Sequence, residues 1–397
     1  MAESTTGKRR IGVALSGGGV RAAAFHAGVM HYLAERERLE DVMHISSVSG
    51  GSLFAGIVFC VSGYCWPSSK VYLTEVFPRI REIFTTHSLQ RAALCHLILN
   101  PFNWRFLLSR ANVLAQAIKS SWGVHGDLSA IGNSPTWSIN CTTAETGRRF
   151  RFKLMTMGDY ELGYAKVEKF SLAKAIAVSA AFPGGIGPLS IKTEDFEWKK
   201  RPGVWGQGQG SGVPFTPPFK RVHLYDGGLY DNLGIEPLFD VGRQSFKVDE
   251  TLESQPQFLL VSDAGAALKR QFILNPLNPM RFKRIADIAL DQTRALRVRA
   301  LMRFLQQQPE SGAYLGIGTA ADGGIRRFAT KGEELAAHLQ ATCWLSVAEA
   351  QSAATYSTTL CRMSEQSFDL ISRHGYETAK WNLELFAGWG GVSFQCN

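Results

Sequence analysis

The chain has 397 residues, 45% of them hydrophobic and 19% charged, with a formal net charge of +9. That length and apolar content suit a globular chain with a large core rather than a disordered one, and leave room for one large domain or two ordinary ones. The positive balance favours contact with an anionic surface, nucleic acid or phospholipid, without choosing between them. The opening MAESTTGKRR is polar and shows no signal-peptide pattern. The longest apolar run, SLFAGIVFCVSGYCW at 52–66, is too short and broken to span a bilayer and reads as a buried helix. Cys60, Cys65, Cys95, Cys141, Cys343, Cys361 and Cys396 are odd in number and form no C-x-x-C pair. They read as reduced thiols in a cytosol-like compartment, with no zinc site.

In chain order, residues 10–16 (RIGVALS) read as a buried strand and 20–36 as a helix. A second strand follows at 42–48 (VMHISSV) and a second, very apolar helix at 51–63. Strand–helix alternation with tight turns points to a parallel α/β sheet. Residues 70–122 read as mostly helical, and strands return at 136–142 and 149–155. Residues 168–181 read as a helix stopped by Pro183 and Gly184. Residues 201–219 form a Gly/Pro-rich loop beaded with Trp205, Phe215 and Phe219, either a lid against lipid or a surface excursion. Strands are expected at 221–225 and 257–262. Beyond them the chain reads as mainly helical, with a basic stretch at 280–305 and further helix over 331–387. The basic stretch faces either an anionic membrane or bulk water.

Two turns carry chemistry. In the first, SGGGVRA, Gly17, Gly19 and Ala22 fit the G-x-G-x-x-A pattern of a dinucleotide site between strand and helix. That pattern also requires an acidic residue at the end of the next strand. Here the next strand ends in SVSGGS, while Glu35, Glu37, Glu40 and Asp41 precede it. A phosphate loop is excluded too, because no Gly-Lys-Ser/Thr follows. The second turn, Ser47-Val48-Ser49-Gly50-Gly51, has the layout of a nucleophile elbow, with Ser47 in place of the usual first glycine. From this turn alone, Ser49 reads equally as a helix N-cap. A nucleophilic serine needs a base and an oxyanion hole. Bare amides at Gly17, Gly18 and Gly19 suit the second need, and parallel neighbouring strands would bring both turns to one sheet edge. A third motif, YDGGLYDN, places Asp226 at a strand end. His223 is three residues away, on the opposite strand face, and reads as structural. His26, His31, His338 and His374 fall in helical segments.

Together, SGGGVRAAAF, SSVSGGSLFAG and LYDGGLYDN resemble the patatin-like phospholipase family, which joins a G-G-G-x-R/K loop, a serine elbow and a D-G-G motif. AVSAAFPGG at 177–185 is similar to a family segment of small residues and proline. The resemblance covers about residues 10–65 and 170–265. It implies a three-layer α/β fold with a mainly parallel central sheet and helical insertions. It further implies a polar tail at 1–9 and one catalytic domain over 10–397, with a helical insertion at about 66–130 and a helical C-terminal region from about 280. By the same resemblance Ser49 is the nucleophile and Asp226 the general base, in a dyad without histidine. Gly17, Gly18 and Gly19 form the oxyanion loop, and Arg21 binds the substrate phosphate. Asp263, which also ends a strand but lacks the following Gly-Gly, ranks below Asp226. The expected activity is hydrolysis of phospholipid or lysophospholipid esters at an anionic membrane surface. The enzyme would be cytoplasmic and peripheral, without metal, cofactor or nucleic acid. A silent lipid-binding module of the same fold is the alternative, and a dinucleotide-binding oxidoreductase a more distant one.

Overall fold

The computed structural model describes residues 9–167, 169–183, 185–200, 212–248, 254–265, 268, 278, 280–328, 342–387 and 389. Strand β1 (Ile11–Leu15) leads into helix α1 (Gly19–Glu35), and β2 (Val42–Ser47) into α2 (Gly50–Val61). Then come β3 (Thr136–Thr143), β4 (Arg149–Lys153), β5 (Thr156–Asp159), β6 (Gly163–Lys166), β7 (Leu189–Lys192), β8 (Trp198–Lys200), β9 (Val213–Pro214) and β10 (Arg221–Asp226). A small hairpin of β11 (Phe239–Asp240) and β12 (Ser245–Phe246) precedes β13 (Phe258–Asp263) and β14 (Gly312–Gly316).

The expected parallel core is present as β14-β13-β1-β2-β3. From β3 the same sheet continues as an antiparallel wing through β4, β5, β6, β8 and β9. Strands β5, β6 and β8 lie in stretches to which the sequence assigns no element, β9 lies in the expected loop, and β14 lies in the part expected to be mainly helical. These strands are two to five residues long, and Gly158, Gly163 and Gly312 interrupt any two-residue alternation. Register with neighbours, not local pattern, makes them strands.

Side-chain alternation builds the layers. Ile11, Val13 and Leu15 of β1, with Phe258 and Leu260 of β13, face one core, which they share with α1 and α2. Ala14, Leu259 and Val261 face a second core with Leu301 and Phe304 of the helix Met280–Gln307. The sheet is thus covered by helices on both faces. Helix α1 is apolar around most of its circumference, the mark of a fully enclosed helix. Its outer side is covered by the helix Glu365–Phe386 at very short range. A Cβ on Gly375 would lie 2.1 Å from the Phe25 carbonyl oxygen, so glycine is required at that crossing.

The 70–122 region is helical as expected, with helices Phe77–Thr86, Leu89–Leu99 and Ala111–Trp122. Of the loop 201–219, Trp205 lies outside the described residues. Phe215 sits beneath Lys200 Nζ, 4.7 Å from the ring centre, and Phe219 packs against the main core, so both aromatics are engaged with protein. His338, Gly184 and 331–341 also lie outside the described residues. The later helices are Val347–Thr355 and Glu365–Phe386.

Candidate active site

Strand β3 brings the two motifs together. β2 runs parallel to it and its pairing stops at Ser47 opposite Ile139. β10 runs antiparallel, and its pairing stops at Asp226 opposite Cys141. The other edge of β3 is taken by β4 over Ser138–Thr142, so β2 and β10 must share one edge. Their carboxyl ends therefore meet nearly head-on, with Asn140 of β3 between them. Asn140 Nδ2 donates to the Ser47 carbonyl at 3.0 Å and to Ser46 Oγ at 2.9 Å, while its Oδ1 accepts from Arg149 at 3.0 Å.

Ser49 sits in the turn out of β2 with φ 49° and ψ −114°. A non-glycine residue held there costs about 1–3 kcal/mol and needs surrounding bonds to keep it in place. Those bonds are present. The Ser49 amide donates to the carbonyl and to the hydroxyl of Ser179, each at 3.1 Å. The following glycines are steric requirements: a Cβ on Gly50 would lie 2.3 Å from the Gly19 carbonyl oxygen, and one on Gly51 2.4 Å from that of Leu15. The Ser49 side chain makes no cap bond to α2. Its hydroxyl is instead near enough to the Asp226 carboxylate to favour that group's charged form.

Asp226 is 4% exposed. Burial raises its pKa to about 7, against the opposing pull of the Gly228 amide and the Ser49 hydroxyl. The Gly228 N–H donates to Asp226 Oδ1 at 2.7 Å, and the Asp226 amide donates to the Ala181 carbonyl at 3.1 Å. The segment 179–181 thus anchors both residues: the Ser179 carbonyl also accepts from Gly227 N–H at 3.3 Å.

The glycine loop lies against this pair. Gly18 and Gly19 have φ values of 146° and 63°, which side-chain-bearing residues rarely adopt. The expectation of three free amides is corrected at Gly17, whose N–H donates to the Asn232 carbonyl at 3.0 Å. Gly17 instead matters for close approach, since a Cβ there would lie 3.1 Å from Ser49 Cβ and 2.3 Å from Asn232 Oδ1. Among the described residues the amides of Gly18, Gly19 and Gly50 have no protein acceptor. Each stands at a helix start, where backbone donors lack an intrahelical partner.

Arg21 is 1% exposed and its donors are engaged. Nε and Nη2 donate to the Ala264 carbonyl at 3.2 and 3.0 Å, and Nη1 donates to the Tyr356 carbonyl at 2.6 Å. Burial lowers its pKa to about 10, which leaves it charged at neutral pH. Asp263 is fully buried in an ion pair with Arg294 at 2.6 Å and accepts the Tyr314 hydroxyl at 2.7 Å. Arg297 lies 3.5 Å from Asp231. Two arginines of the basic stretch therefore face inward, whereas Arg299 and Arg303 are exposed; the Lys283 side chain lies outside the described residues.

The histidines have other partners. His223 Nδ1 pairs with Glu145 at 2.6 Å. His26 lies between Ser262 Oγ and the Ser16 carbonyl, and burial lowers its pKa to about 4. His374 Nε2 accepts the Gly318 amide, and burial lowers its pKa to about 4 as well. His31 faces Glu35 at 3.4 Å.

Sequence reasoning missed the polar layer behind the elbow. Ser179 Oγ donates to the Asn140 carbonyl at 2.7 Å and meets Ser52 Oγ at 2.8 Å. Ser52 meets Ser47 Oγ at 2.8 Å, and Ser47 Oγ accepts from Trp137 Nε1 at 2.8 Å. Ser47 thus contributes a hydroxyl that glycine could not, which accounts for the departure from the usual elbow pattern. Only the small-residue stretch AVSAAFPGG hinted at Ser179.

A search of curated proteins found no match. Among solved structures, human GIVD cytosolic phospholipase A2 is similar at 14% identity with a TM-score of 0.49, over 96% of this chain and 60% of that one. VipD from Legionella pneumophila is similar at 12% identity with a TM-score of 0.35, over 96% and 67%. This chain spans about 60% of the length of the human phospholipase. The sequence match is more direct: residues 13–239 match the patatin-like phospholipase family. That stretch is more than half of the chain and runs from β1 through the glycine loop and the serine elbow to beyond Asp226. The chain belongs to the patatin-like phospholipase family.

Proposed function

We propose that the protein is a serine lipid acyl hydrolase that cleaves phospholipid or lysophospholipid esters through an acyl-enzyme. One observation carries the reading: a serine in a strained turn beside a buried aspartate whose pKa burial raises to about 7. At neutral pH such a carboxylate is ionised in a large fraction of molecules, yet basic enough to accept a proton.

In the proposed reaction Ser49 Oγ attacks the ester carbonyl carbon while Asp226 takes its proton. The carbonyl oxygen becomes an oxyanion, received by the Gly18 and Gly19 amides with that of Gly50 beside them. One such donor is worth on the order of 3 kcal/mol in the transition state. The C–O bond to the leaving alcohol or lysolipid breaks, and protonated Asp226 returns its proton to that oxygen. Water, deprotonated by Asp226, then attacks the acyl-serine, and the proton passes back to Ser49 as the fatty acid leaves.

Arg21 takes a positioning role in this reading. Its guanidinium ties α1, directly after the glycine loop, to Ala264 and Tyr356, in place of the expected contact with a substrate phosphate. Arg21→Ala is therefore expected to lower turnover of a phospholipid and of a neutral ester by similar factors. A selective loss on the phospholipid would restore the phosphate-binding role. Among the described residues no helix is long and apolar enough to cross a membrane, and attachment to the bilayer is proposed to be peripheral.

The deciding experiment is covalent labelling with a fluorophosphonate probe. Wild type is expected to label at Ser49, and Ser49→Ala to lose both labelling and esterase activity while keeping its fold. A folded Ser49→Ala variant that still hydrolyses a short-chain ester would remove the assignment. Absence of label on a folded wild type would favour a silent module.

A further inference from the structure

The segment between Glu82 and Asp127 contains no acidic residue, yet it carries Arg91, Arg105, Arg110 and Lys119. It folds as the helix Leu89–Leu99, a 3-10 turn at Pro101–Phe106 and the helix Ala111–Trp122. Its tip turns large apolar side chains to solvent. Leu99, Phe102 and Leu108 are 79%, 80% and 86% exposed, and Ile98, Trp104 and Leu107 are exposed beside them. Most other exposed large apolar residues are scattered singly along the chain, which is ordinary, whereas a contiguous patch marks an interaction surface.

The tip is built to present this face. Asn103 is buried within it, donating to the His96 carbonyl at 2.8 Å and exchanging amide hydrogen bonds with Gln116 at 2.8 and 2.9 Å. One polar residue thus locks the turn to both helices while its neighbours Phe102 and Trp104 point outward. Arg91, Arg105 and Arg110 are exposed and have no acidic partner among the described residues, and the Arg105 guanidinium lies 4.6 Å from the Phe106 ring centre.

The element is also tied to both sides of the candidate active site. At its start the Gln90 amide donates to the Leu360 carbonyl at 3.2 Å, and the adjacent Thr359 carbonyl accepts Val20 N–H at 3.0 Å, next to Gly19. At its end Ser109 Oγ donates to the Pro188 carbonyl at 2.7 Å. Pro188 lies on the segment that leaves Ser179–Ala181, the anchor of Ser49 and Asp226.

We propose that residues 94–110 are the surface on which this protein docks to a lipid bilayer bearing anionic head groups. The choice of occupant rests on the proposed lipid hydrolysis and on charge. Aromatic and aliphatic side chains among cations, with no carboxylate nearby, match the boundary between acyl chains and anionic head groups. A second copy of the chain fits poorly, because a two-fold contact through this patch would set Arg105 and Arg110 against their own kind.

The test measures binding apart from catalysis. Sedimentation of the Ser49→Ala chain is followed with vesicles of phosphatidylcholine alone and of phosphatidylcholine with phosphatidylserine, at low and high salt. Adding Phe102→Ser, Trp104→Ser and Leu108→Ser together is expected to lower binding to the mixed vesicles at least tenfold. Arg105→Glu with Arg110→Glu is expected to abolish the preference for phosphatidylserine and its salt sensitivity. In an otherwise wild-type chain both sets should keep thermal melting and soluble-ester hydrolysis within twofold of the parent. Unchanged vesicle binding in the triple variant would overturn the proposal. So would a dimer that the triple variant dissolves without any change in vesicle binding. If no soluble ester is hydrolysed by the parent, the hydrolase reading fails on its own, and the sedimentation arm still decides this one.

Discussion

In the proposed mechanism Asp226 joins catalysis and stability in a single titration. If Asp226 is the base, only its ionised form takes the serine proton, so kcat/KM is expected to rise about tenfold per pH unit below pH 7 and to level off above it. A flat profile from pH 5 to 8 would exclude this residue as the base. The stability effect runs the other way. Its folded pKa of about 7 lies above the ordinary aspartate value of 3.8, so the folded state holds the proton more tightly. The resulting stabilisation is full below about pH 4 and is lost as pH rises through 7, where a charged carboxylate is left buried. Asp226→Asn removes that charge and keeps an acceptor for Gly228 N–H. It is expected to lower kcat by several orders of magnitude, to melt with wild type near pH 4, and to melt higher at pH 8. The gain at pH 8 is on the order of 4 kcal/mol at most, from about 1.4 kcal/mol per pKa unit. Thermal melts of both proteins at the two pH values check the sign.

At the scale of elements, the elbow and the glycine loop form one packed unit. Gly50→Ala drives a Cβ into the backbone of Gly19, which has no flexible end to yield. Loss of activity together with at least 2 kcal/mol of stability is expected. Gly132→Ala meets nothing within 4 Å and is expected to stay within about 0.5 kcal/mol of wild type, which makes it the matched control. Ser179→Ala tests the polar layer more finely. The Ser49 amide keeps the Ser179 carbonyl, but Ser52 and the Asn140 carbonyl each lose a partner. A cost of about 1–3 kcal/mol and a fall in kcat larger than any change in KM are expected. Urea melts and steady-state kinetics on one ester measure both.

Across the whole molecule, the end of β13 connects the far helix to the glycine loop. Arg294 of the helix Met280–Gln307 holds buried Asp263, and the next residue, Ala264, holds Arg21. Arg294→Met leaves a carboxylate buried without its cation, at an expected cost of about 3 kcal/mol. Because Asp263 is enclosed, that cost should change little between low and high salt, unlike a surface pair. A strong salt dependence of the difference in denaturation midpoints would mean that the pair is solvated.

The glycine loop, the serine elbow and the Asp-Gly-Gly turn were legible in the chain because each imposes a local backbone demand that few residue types meet. Gly18 and Gly19 must take positive φ, and Gly50 and Gly51 must admit a neighbouring backbone. The parallel core strands were legible too, as short apolar runs bounded by those turns. What brought Ser49 to Asp226 was not local. It required β2 and β10, far apart in sequence, to end on one edge of β3, a register no periodicity records. The same holds for the amide of Gly17, spent on Asn232, and for Arg21, turned inward to two carbonyls. A residue type fixes which bonds a group is able to make, and only tertiary packing decides which partner arrives and which surface, such as Phe102 and Leu108, is left to the solvent.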